Sequence, residues 1–316
     1  MMSQNYGKMT VNTIITILGP TATGKTHLAA FLAKDIGGEI ISADSRQVYR
    51  EMNIGTGKDI DDYKIGDITI PCHLIDIVNP GLEYNIFQYQ QEAYSAIKNI
   101  QSREKSVILC GGSGMYIEAL LKGYKLFPVP ENKLLRKELE QRPETELMNL
   151  LASFRSIHNI TDTCEHSRLL RAIEIEYYYR EHPELSEFAQ PIPSVIFGLK
   201  GDRDTIRNKI TLRLKHRLEN GMIEEVENLI NKGVNSNQLI RYGLEYKFIT
   251  LYLLNEIDYD TLFQRLNIAI HQFSKRQMTW FRKMERDGFN INWIDISLLE
   301  EEKISVIKKF LQIQSV

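Results

Sequence analysis

The chain has 316 residues, enough for one large α/β domain with an insertion or for two modest domains. Its hydrophobic fraction of 43% and charged fraction of 25% are those of an ordinary globular protein, so the composition gives no sign of intrinsic disorder. The 39 basic and 41 acidic residues give a formal net charge of -2. A nucleic-acid surface would therefore have to be a local basic patch on a nearly neutral molecule.

The three cysteines, Cys72, Cys110 and Cys164, lie far apart and form no C-x-x-C pair. This spacing excludes a recognisable zinc ribbon or disulfide framework and favours small buried side chains in a reducing compartment. The residues before Thr13 lack the apolar core of a signal peptide, and no apolar run approaches the roughly 20 residues of a membrane span. We therefore expect a soluble, cytoplasmic protein that does not associate with membranes.

Short apolar strands alternate with helical segments in the first part of the chain. The predicted strands are Thr13–Leu18, Glu39–Ala43, His73–Ile77 and Ser106–Cys110, and the predicted helices are Thr26–Ile36, Gln88–Ile100 and Met115–Leu121. Strands that alternate with helices predict a parallel, doubly wound sheet with helices on both faces.

Two proline-containing joints, Phe127–Pro130 and Gln190–Pro193, enclose a charged stretch with a helical pattern and no strand pattern. The α/β pattern then resumes with a strand at Ser194–Leu199, helices near Thr205–Lys232, Asn237–Leu254 and Tyr259–Arg286, and a strand at Phe289–Ile294. We therefore predict a discontinuous α/β core over 12–128 and 194–316, with a helical insertion over 129–193.

The loop after the first strand has the pattern G-x-x-x-x-G-K-[ST] and consists of Gly19, Pro20, Thr21, Ala22, Thr23, Gly24, Lys25 and Thr26. Backbone N–H groups of such a loop surround phosphate oxygens, the lysine adds charge, and the last hydroxyl binds Mg²⁺. The alternative is a tight turn that binds nothing, but a strand precedes this loop and a helix follows it. The sequence thus predicts a bound di- or triphosphate with Mg²⁺ as cofactor, in a P-loop NTPase-like fold.

A hydrolase of this fold usually carries a Mg²⁺-binding aspartate at the end of a second apolar strand. The strand Ser106–Cys110 is instead followed by Gly111, Gly112 and Ser113. The end of this strand therefore argues against a hydrolase or a motor protein, but it is compatible with a small-molecule kinase.

Asp44 follows the strand Glu39–Ala43 and should face the same crevice as the phosphate loop, because ligands of open parallel sheets bind beyond the carboxyl ends of the strands. A carboxylate there could accept a proton from an incoming nucleophile. It could equally make an Asx-turn or a cap, and position alone does not separate these roles. By the same argument Ser113 lies at a neighbouring strand end.

These residues belong to five blocks that resemble the tRNA dimethylallyltransferases, also called tRNA isopentenyltransferases, in their bacterial form. The blocks are GPTATGKT, ISADSRQVYREMNIGTGK (Ile41–Lys58), HLIDIVNP (His73–Pro80), CGGSGMYIEALLKG (Cys110–Gly123) and KRQMTWFRKM (Lys275–Met284). They stand in the family's order and cover nearly the whole chain. The resemblance implies transfer of an isopentenyl group from dimethylallyl diphosphate to N6 of the tRNA adenosine just 3′ of the anticodon, with release of pyrophosphate.

The resemblance also implies catalytic roles. The general base corresponds to Asp44, and the groups that stabilise the departing pyrophosphate correspond to Lys25, Thr26 with its Mg²⁺, and Arg213. Without the resemblance, Arg213 would be read as one of several basic residues on a solvated helix face, because Arg203, Arg207, Lys209, Lys215 and Arg217 lie on the same helix.

Further residues correspond to the family's tRNA contacts. They are Asp44, Ser45, Arg46, Gln47, Ser113, Ser167, Arg168, Leu169, Leu170, Arg171, Arg241, Tyr246, Lys275, Arg276, Gln277, Trp280 and Arg282. The last block mixes cations with aromatic residues, as expected for phosphate pairing beside base stacking, although Trp280 and Phe281 could also lie in the core. Candidate phosphate contacts of the insertion are Lys133, Arg136, Lys137, Arg142, Arg168, Arg171 and Arg180.

The chain departs from the family pattern at two positions. Glu245 stands where many members have a glycine before the tyrosine that is Tyr246 here, and Ser113 stands where threonine is common. We expect partners limited to tRNA and dimethylallyl diphosphate, without an obligatory protein partner, and a monomer. The alternatives are an isopentenyltransferase acting on free adenine nucleotides, a P-loop small-molecule kinase, and a silent tRNA-binding paralogue.

Overall fold

The protein is described from a computed structural model, which covers residues 13–154, 166–183 and 190–311. Cys164 and the ends of the predicted core, residue 12 and residues 312–316, lie outside these described residues. The chain divides into two compact units, Met1–Gly123 with Pro191–Val316, and Tyr124–Gln190.

The larger unit contains a six-stranded parallel sheet in the order β5-β2-β6-β1-β7-β8. Its strands are β1 Ile14–Leu18, β2 Glu39–Ser42, β5 Cys72–His73, β6 Val107–Gly111, β7 Ser194–Lys200 and β8 Ile291–Asp295. Two short strands, β3 Lys64–Ile65 and β4 Ile68–Thr69, pair antiparallel in a separate hairpin. The central strands β1, β2 and β6 are buried along their whole length, as expected for a parallel sheet covered on both faces.

Helices and one 3₁₀ turn (Ile60–Tyr63) surround this sheet. The helices are α1 Lys25–Ile36, α2 Ile86–Ser102, α3 Gly114–Leu121, α7 Arg203–Glu219, α8 Met222–Asn231, α9 Ser236–Tyr242, α10 Leu244–Leu253, α11 Tyr259–Arg286 and α12 Glu300–Leu311. Alternate residues of β1 enter different hydrophobic clusters: Ile15 and Ile17 one, Ile14 and Leu18 the other. This alternation follows from the two-residue repeat of a strand and gives the sheet a core on each face. The predicted α/β parallel sheet with flanking helices is confirmed.

Several predicted elements differ in extent. The strand predicted at His73–Ile77 is only Cys72–His73, because Leu74 and Asp76 adopt left-handed backbone conformations, with φ of 60° and 55°. The first two helices predicted after β7 are each two helices, interrupted at Gly221 (φ 95°) and Gly243 (φ 74°). The β3–β4 hairpin and α12 were not predicted from the sequence.

The smaller unit contains α4 Lys133–Leu139, α5 Glu144–Phe154 and α6 His166–Glu181. Its core is formed by leucines of all three helices together with Ile173. The buried Glu174 carboxylate accepts hydrogen bonds from the Asn132 backbone N–H, Arg136 and Arg171. Two of the cations predicted to contact RNA phosphates are therefore already paired within the unit.

Candidate active site

The carboxyl ends of β1, β2 and β6 meet at one edge of the parallel sheet, and a polar pocket opens there. The phosphate loop follows β1, Asp44 follows β2, and Gly111 and Gly112 end β6. All of them line the pocket, together with Arg213 from α7. The structure therefore brings together the four residues predicted to be catalytic, Lys25, Thr26, Asp44 and Arg213.

The phosphate loop is shaped by its own polar groups. The Thr23 hydroxyl and the Lys25 ammonium both donate to the Pro20 carbonyl oxygen, at 2.8 and 2.7 Å. Helix α1 begins at Lys25 after Gly24, which offers no side-chain cap, so the first N–H groups of α1 are available to an anion. Ala22 has φ of 65°, a strained conformation for a residue with a Cβ and one that recurs in ligand-binding loops.

Two side chains from distant helices hold the loop from outside. Gln277 of α11 accepts a hydrogen bond from the Thr21 N–H (2.8 Å) and donates one to the Gly112 carbonyl (2.9 Å), so it ties the loops after β1 and β6 together. Arg213 donates to the Thr21 hydroxyl. Gln277 was predicted to contact RNA, but its amide is buried and fully used in this wall of the pocket.

The turn after β2 is held by groups from β6 and α3. Ser113 accepts from the Ser45 N–H at 3.0 Å and donates its own N–H to the Ala43 carbonyl at 3.1 Å. A Cβ on Gly111 would lie 2.1 Å from that carbonyl oxygen, so only glycine permits this close approach. The Asp44 Oδ1 atom accepts from the Arg46 N–H at 3.0 Å. Asp44 thus makes the Asx-turn and also lines the pocket, and the two roles weighed from the sequence are compatible.

Burial strongly perturbs the two cations nearest the loop. It lowers the pKa of Lys25 from 10.5 to about 8, and Arg213 lowers it further. Burial and the neighbouring Arg217 lower the pKa of Arg213 to about 10. A polyanion bound between these two cations would stabilise their charged forms, so the pocket is suited to a diphosphate.

The described residues also bear on whether the pocket suits Mg²⁺. The half-buried Thr26 lines it, and within the described ranges no hydrogen bond engages the Thr26 hydroxyl. The same part of the chain holds no cluster of three or more His, Cys, Asp or Glu residues able to bind a metal. One hydroxyl beside a phosphate cradle fits Mg²⁺, which takes most of its remaining ligands from phosphate oxygens and water.

The family model described as IPP transferase matches residues 47–284, about three quarters of the chain. The chain belongs to the IPP transferase family. It is 52% identical over 300 residues to tRNA dimethylallyltransferase 2 of Bacteroides fragilis, covering 95% of this chain and 98% of that one. It is 54% identical over 296 residues to tRNA dimethylallyltransferase 1 of Porphyromonas gingivalis, covering 94% and 98%. The family predicted from the sequence is thereby confirmed.

Solved structures of similar proteins have the same fold. The tRNA isopentenylpyrophosphate transferase of Bacillus halodurans is 29% identical with a TM-score of 0.69, covering 95% of this chain and 96% of that one. A eukaryotic dimethylallyltransferase acting on tRNA has a TM-score of 0.75 and covers 96% and 81%; at 21% identity that likeness concerns the fold alone. None of the described helices of this IPP transferase is both long and apolar enough to cross a membrane.

A set of hydrogen bonds accepted by Glu225, which the sequence did not predict, supports another wall of the pocket. Glu225 of α8 accepts the backbone N–H groups of Asn53, Ile54 and Gly55 at 2.7 to 3.0 Å, and the Tyr246 hydroxyl at 2.7 Å. The following residues, Thr56 and Gly57, line the pocket. The contacts to Asn53, Ile54 and Gly55 join residues about 170 positions apart, and an acidic residue on an amphipathic helix gives no sequence signal for them.

The predicted RNA contacts of this IPP transferase differ in exposure: some are exposed, some are buried, and Asp44, Ser45, Arg46, Ser113, Arg171 and Trp280 are half-buried. The exposed residues are Ser167, Arg168, Arg241, Lys275, Arg276 and Arg282. The side chains of Leu169 and Leu170 lie in the core of the smaller unit, and those of Gln47 and Tyr246 are also buried. Gln47 donates to the Gly57 carbonyl at 3.1 Å, so its amide braces the pocket wall.

The aromatic residues of the last block are also anchored internally. Phe281 is fully buried, whereas Trp280 is half-buried and donates its indole N–H to Glu118 at 2.8 Å. Gly114 gives the Trp280 ring room, since a Cβ there would lie 2.4 Å from it. Lys275, Arg276 and Arg282 face outward, whereas Lys283 pairs with the buried Glu118 at 2.8 Å and, with the aromatic residues, holds α11 against α3.

Proposed function

We propose that this chain transfers the dimethylallyl group of dimethylallyl diphosphate to N6 of the tRNA adenosine at position 37, next to the anticodon, with release of pyrophosphate. One observation carries the proposal. A single pocket holds a phosphate loop with two half-buried cations, Lys25 and Arg213, and an aspartate, Asp44, that forms no ion pair within the described residues. The names of the relatives that match nearly the whole chain support the same reaction.

The proposed step forms a bond between N6 and C1 of the allyl group and breaks the bond from C1 to the diphosphate oxygen. The electron pair of the broken bond leaves with pyrophosphate, and the N6 proton passes to the Asp44 carboxylate. An exocyclic adenine amine is a weak nucleophile, because its lone pair is delocalised into the ring, so a positioned base favours the step. Lys25, Arg213 and the loop N–H groups stabilise the charge that develops on pyrophosphate.

Mg²⁺ is part of the proposal, and Thr26 is the residue that would hold it. When bound, Mg²⁺ neutralises charge on the diphosphate and so makes it a better leaving group. Lys25 and the positive N-terminus of α1 stabilise negative charge on the same diphosphate oxygens.

tRNA is the proposed macromolecular partner. The exposed cations of α11, Lys275, Arg276 and Arg282, are suited to backbone phosphates, and the smaller unit adds Lys133 and Lys137. Affinity for tRNA should then fall steeply with increasing salt. The target adenine must leave its stack to reach a pocket at the end of the sheet.

The experiment measures single-turnover transfer to tRNA by mass spectrometry of the digested nucleosides. Asp44→Asn should slow transfer by roughly 10²- to 10⁴-fold, the contribution typical of a general base, while tRNA binding persists. Asp67→Asn, at an exposed aspartate of the β3–β4 turn, is the matched control. A wild-type rate in Asp44→Asn would refute the assignment of the base.

Parallel incubation of the wild-type protein with AMP, ADP and tRNA separates the alternatives. Modification of AMP but not of tRNA would favour an isopentenyltransferase of free nucleotides. Phosphate release from ATP without an isopentenyl acceptor would favour a kinase or ATPase.

A further inference from the structure

The pocket contains four cations and four carboxylates, and two of the cations form ion pairs with two of the carboxylates. The cations are Lys25, Arg46, Arg213 and Arg217, and the carboxylates are those of Asp44, Asp59, Asp62 and Glu245. Arg217 donates to both Asp59 oxygens, at 2.7 and 3.0 Å, and Arg46 donates to Glu245. The pairing leaves two cations, Lys25 and Arg213, beside the phosphate loop, and it leaves Asp44 and Asp62 without an ion pair among the described residues.

Arg46 is held from two sides. Glu245, the second residue of α10, is 7% exposed at its side chain and accepts from the guanidinium, which is itself 17% exposed. Phe273 of α11 lies under the guanidinium, 5.4 Å from ring centroid to Cζ, at a distance typical of a cation–π contact. Burial alone would lower the pKa of Arg46, but the Glu245 carboxylate raises it above its ordinary value.

This restraint matters because Arg46 is two residues from Asp44 and lines the same pocket. Its backbone N–H already bonds to Asp44. A guanidinium pairs readily with a carboxylate through two hydrogen bonds and stabilises its ionised form. If Arg46 paired with Asp44 in this way, the aspartate would be a weaker proton acceptor and its oxygens would be occupied.

We propose that Glu245 is a positioning residue that keeps Arg46 in an ion pair of its own and so keeps the Asp44 carboxylate available to the substrate amine. The inference rests on the proposed function. Glycine, found at this position in many members of the family, has no side chain to accept from Arg46.

The test compares the wild-type protein with Glu245→Gln, Arg46→Gln and the double variant in single-turnover transfer at saturating tRNA and dimethylallyl diphosphate. Glu245→Gln keeps the size of the side chain and removes the charge. We expect its transfer rate to fall by about tenfold, part of the 10²- to 10⁴-fold that a positioned base contributes. The KM for dimethylallyl diphosphate should not rise, because Lys25 and Arg213 are untouched.

The double variant decides the mechanism. If the released guanidinium inhibits Asp44, removing it by Arg46→Gln should restore much of the rate lost in Glu245→Gln. If Glu245 acted only in folding, the losses of transfer rate in the two single variants would add in the double variant, and the melting temperatures of the variants would be lower. Glu256→Gln, at an exposed carboxylate just beyond α10, is the matched control and should retain the wild-type rate.

The inference is overturned if Glu245→Gln transfers at the wild-type rate, or if Arg46→Gln fails to raise the rate of the Glu245→Gln variant. Both outcomes require that the wild-type protein modify tRNA. Failure of the wild-type protein to do so would refute the proposed function itself, so the two failures are distinguishable.

Discussion

Tyr246→Phe tests whether the Tyr246 hydroxyl contacts RNA, as the family resemblance implies, or anchors the pocket wall. The side chain is fully buried, and its hydroxyl donates to Glu225 at 2.7 Å. Its ring also packs against Gly55, where a Cβ would lie 2.8 Å away. Phenylalanine keeps this ring contact and removes one hydrogen bond to a charged group, which is worth about 1.5–3 kcal/mol.

Thermal melting measures that loss. Since about 1 kcal/mol corresponds to roughly 2–4 °C in a domain of about 150–250 residues, Tyr246→Phe should melt about 3–12 °C lower. The KM for tRNA should be unchanged, because the hydroxyl faces Glu225. Tyr252→Phe, on the same helix and half-buried, has no hydrogen bond from its hydroxyl within the described residues and should melt like the wild type. A raised KM for tRNA with an unchanged melting temperature would refute this reasoning.

Two further predictions concern the pocket itself. The pKa of Lys25 is about 8 in the folded protein and 10.5 when unperturbed, so the unfolded chain binds more protons between these pH values. Stability should therefore rise with pH across that window, by at most about 3 kcal/mol from this group, since its side chain still reaches the open pocket. Urea denaturation should show this rise in the wild type and its loss in Lys25→Met. Gly111→Ala forces a Cβ onto the Ala43 carbonyl; we expect both a lower melting temperature and slower transfer, because the turn that carries Asp44 must move. Normal transfer in a destabilised Gly111→Ala protein would contradict the second effect.

Local signals account for what could be predicted from the sequence. The phosphate loop and the placement of Asp44 depend on a strand, a turn and a helix that are adjacent in the chain, and parallel strands then bring their ends together. The hydrogen bonds of Glu225 to the backbone of residues 53–55 and the bridge made by Gln277 join residues 165 to 256 positions apart, so no local pattern encodes them. Gly221 shows a different limit. A glycine inside a helical pattern is compatible with a continuous helix, and only the backbone reveals that it is left-handed.

The charges in the pocket are distributed as expected for a transfer in which diphosphate is the leaving group. Lys25 and Arg213, which form no ion pair within the described residues, lie against the phosphate loop, whereas Asp44, which forms none there either, follows the neighbouring strand β2. In the proposed reaction, electron density moves from the carboxylate side, through the amine and the allyl carbon, toward the loop. Burial lowers the pKa of both cations, so the proposed diphosphate substrate would stabilise their charged forms.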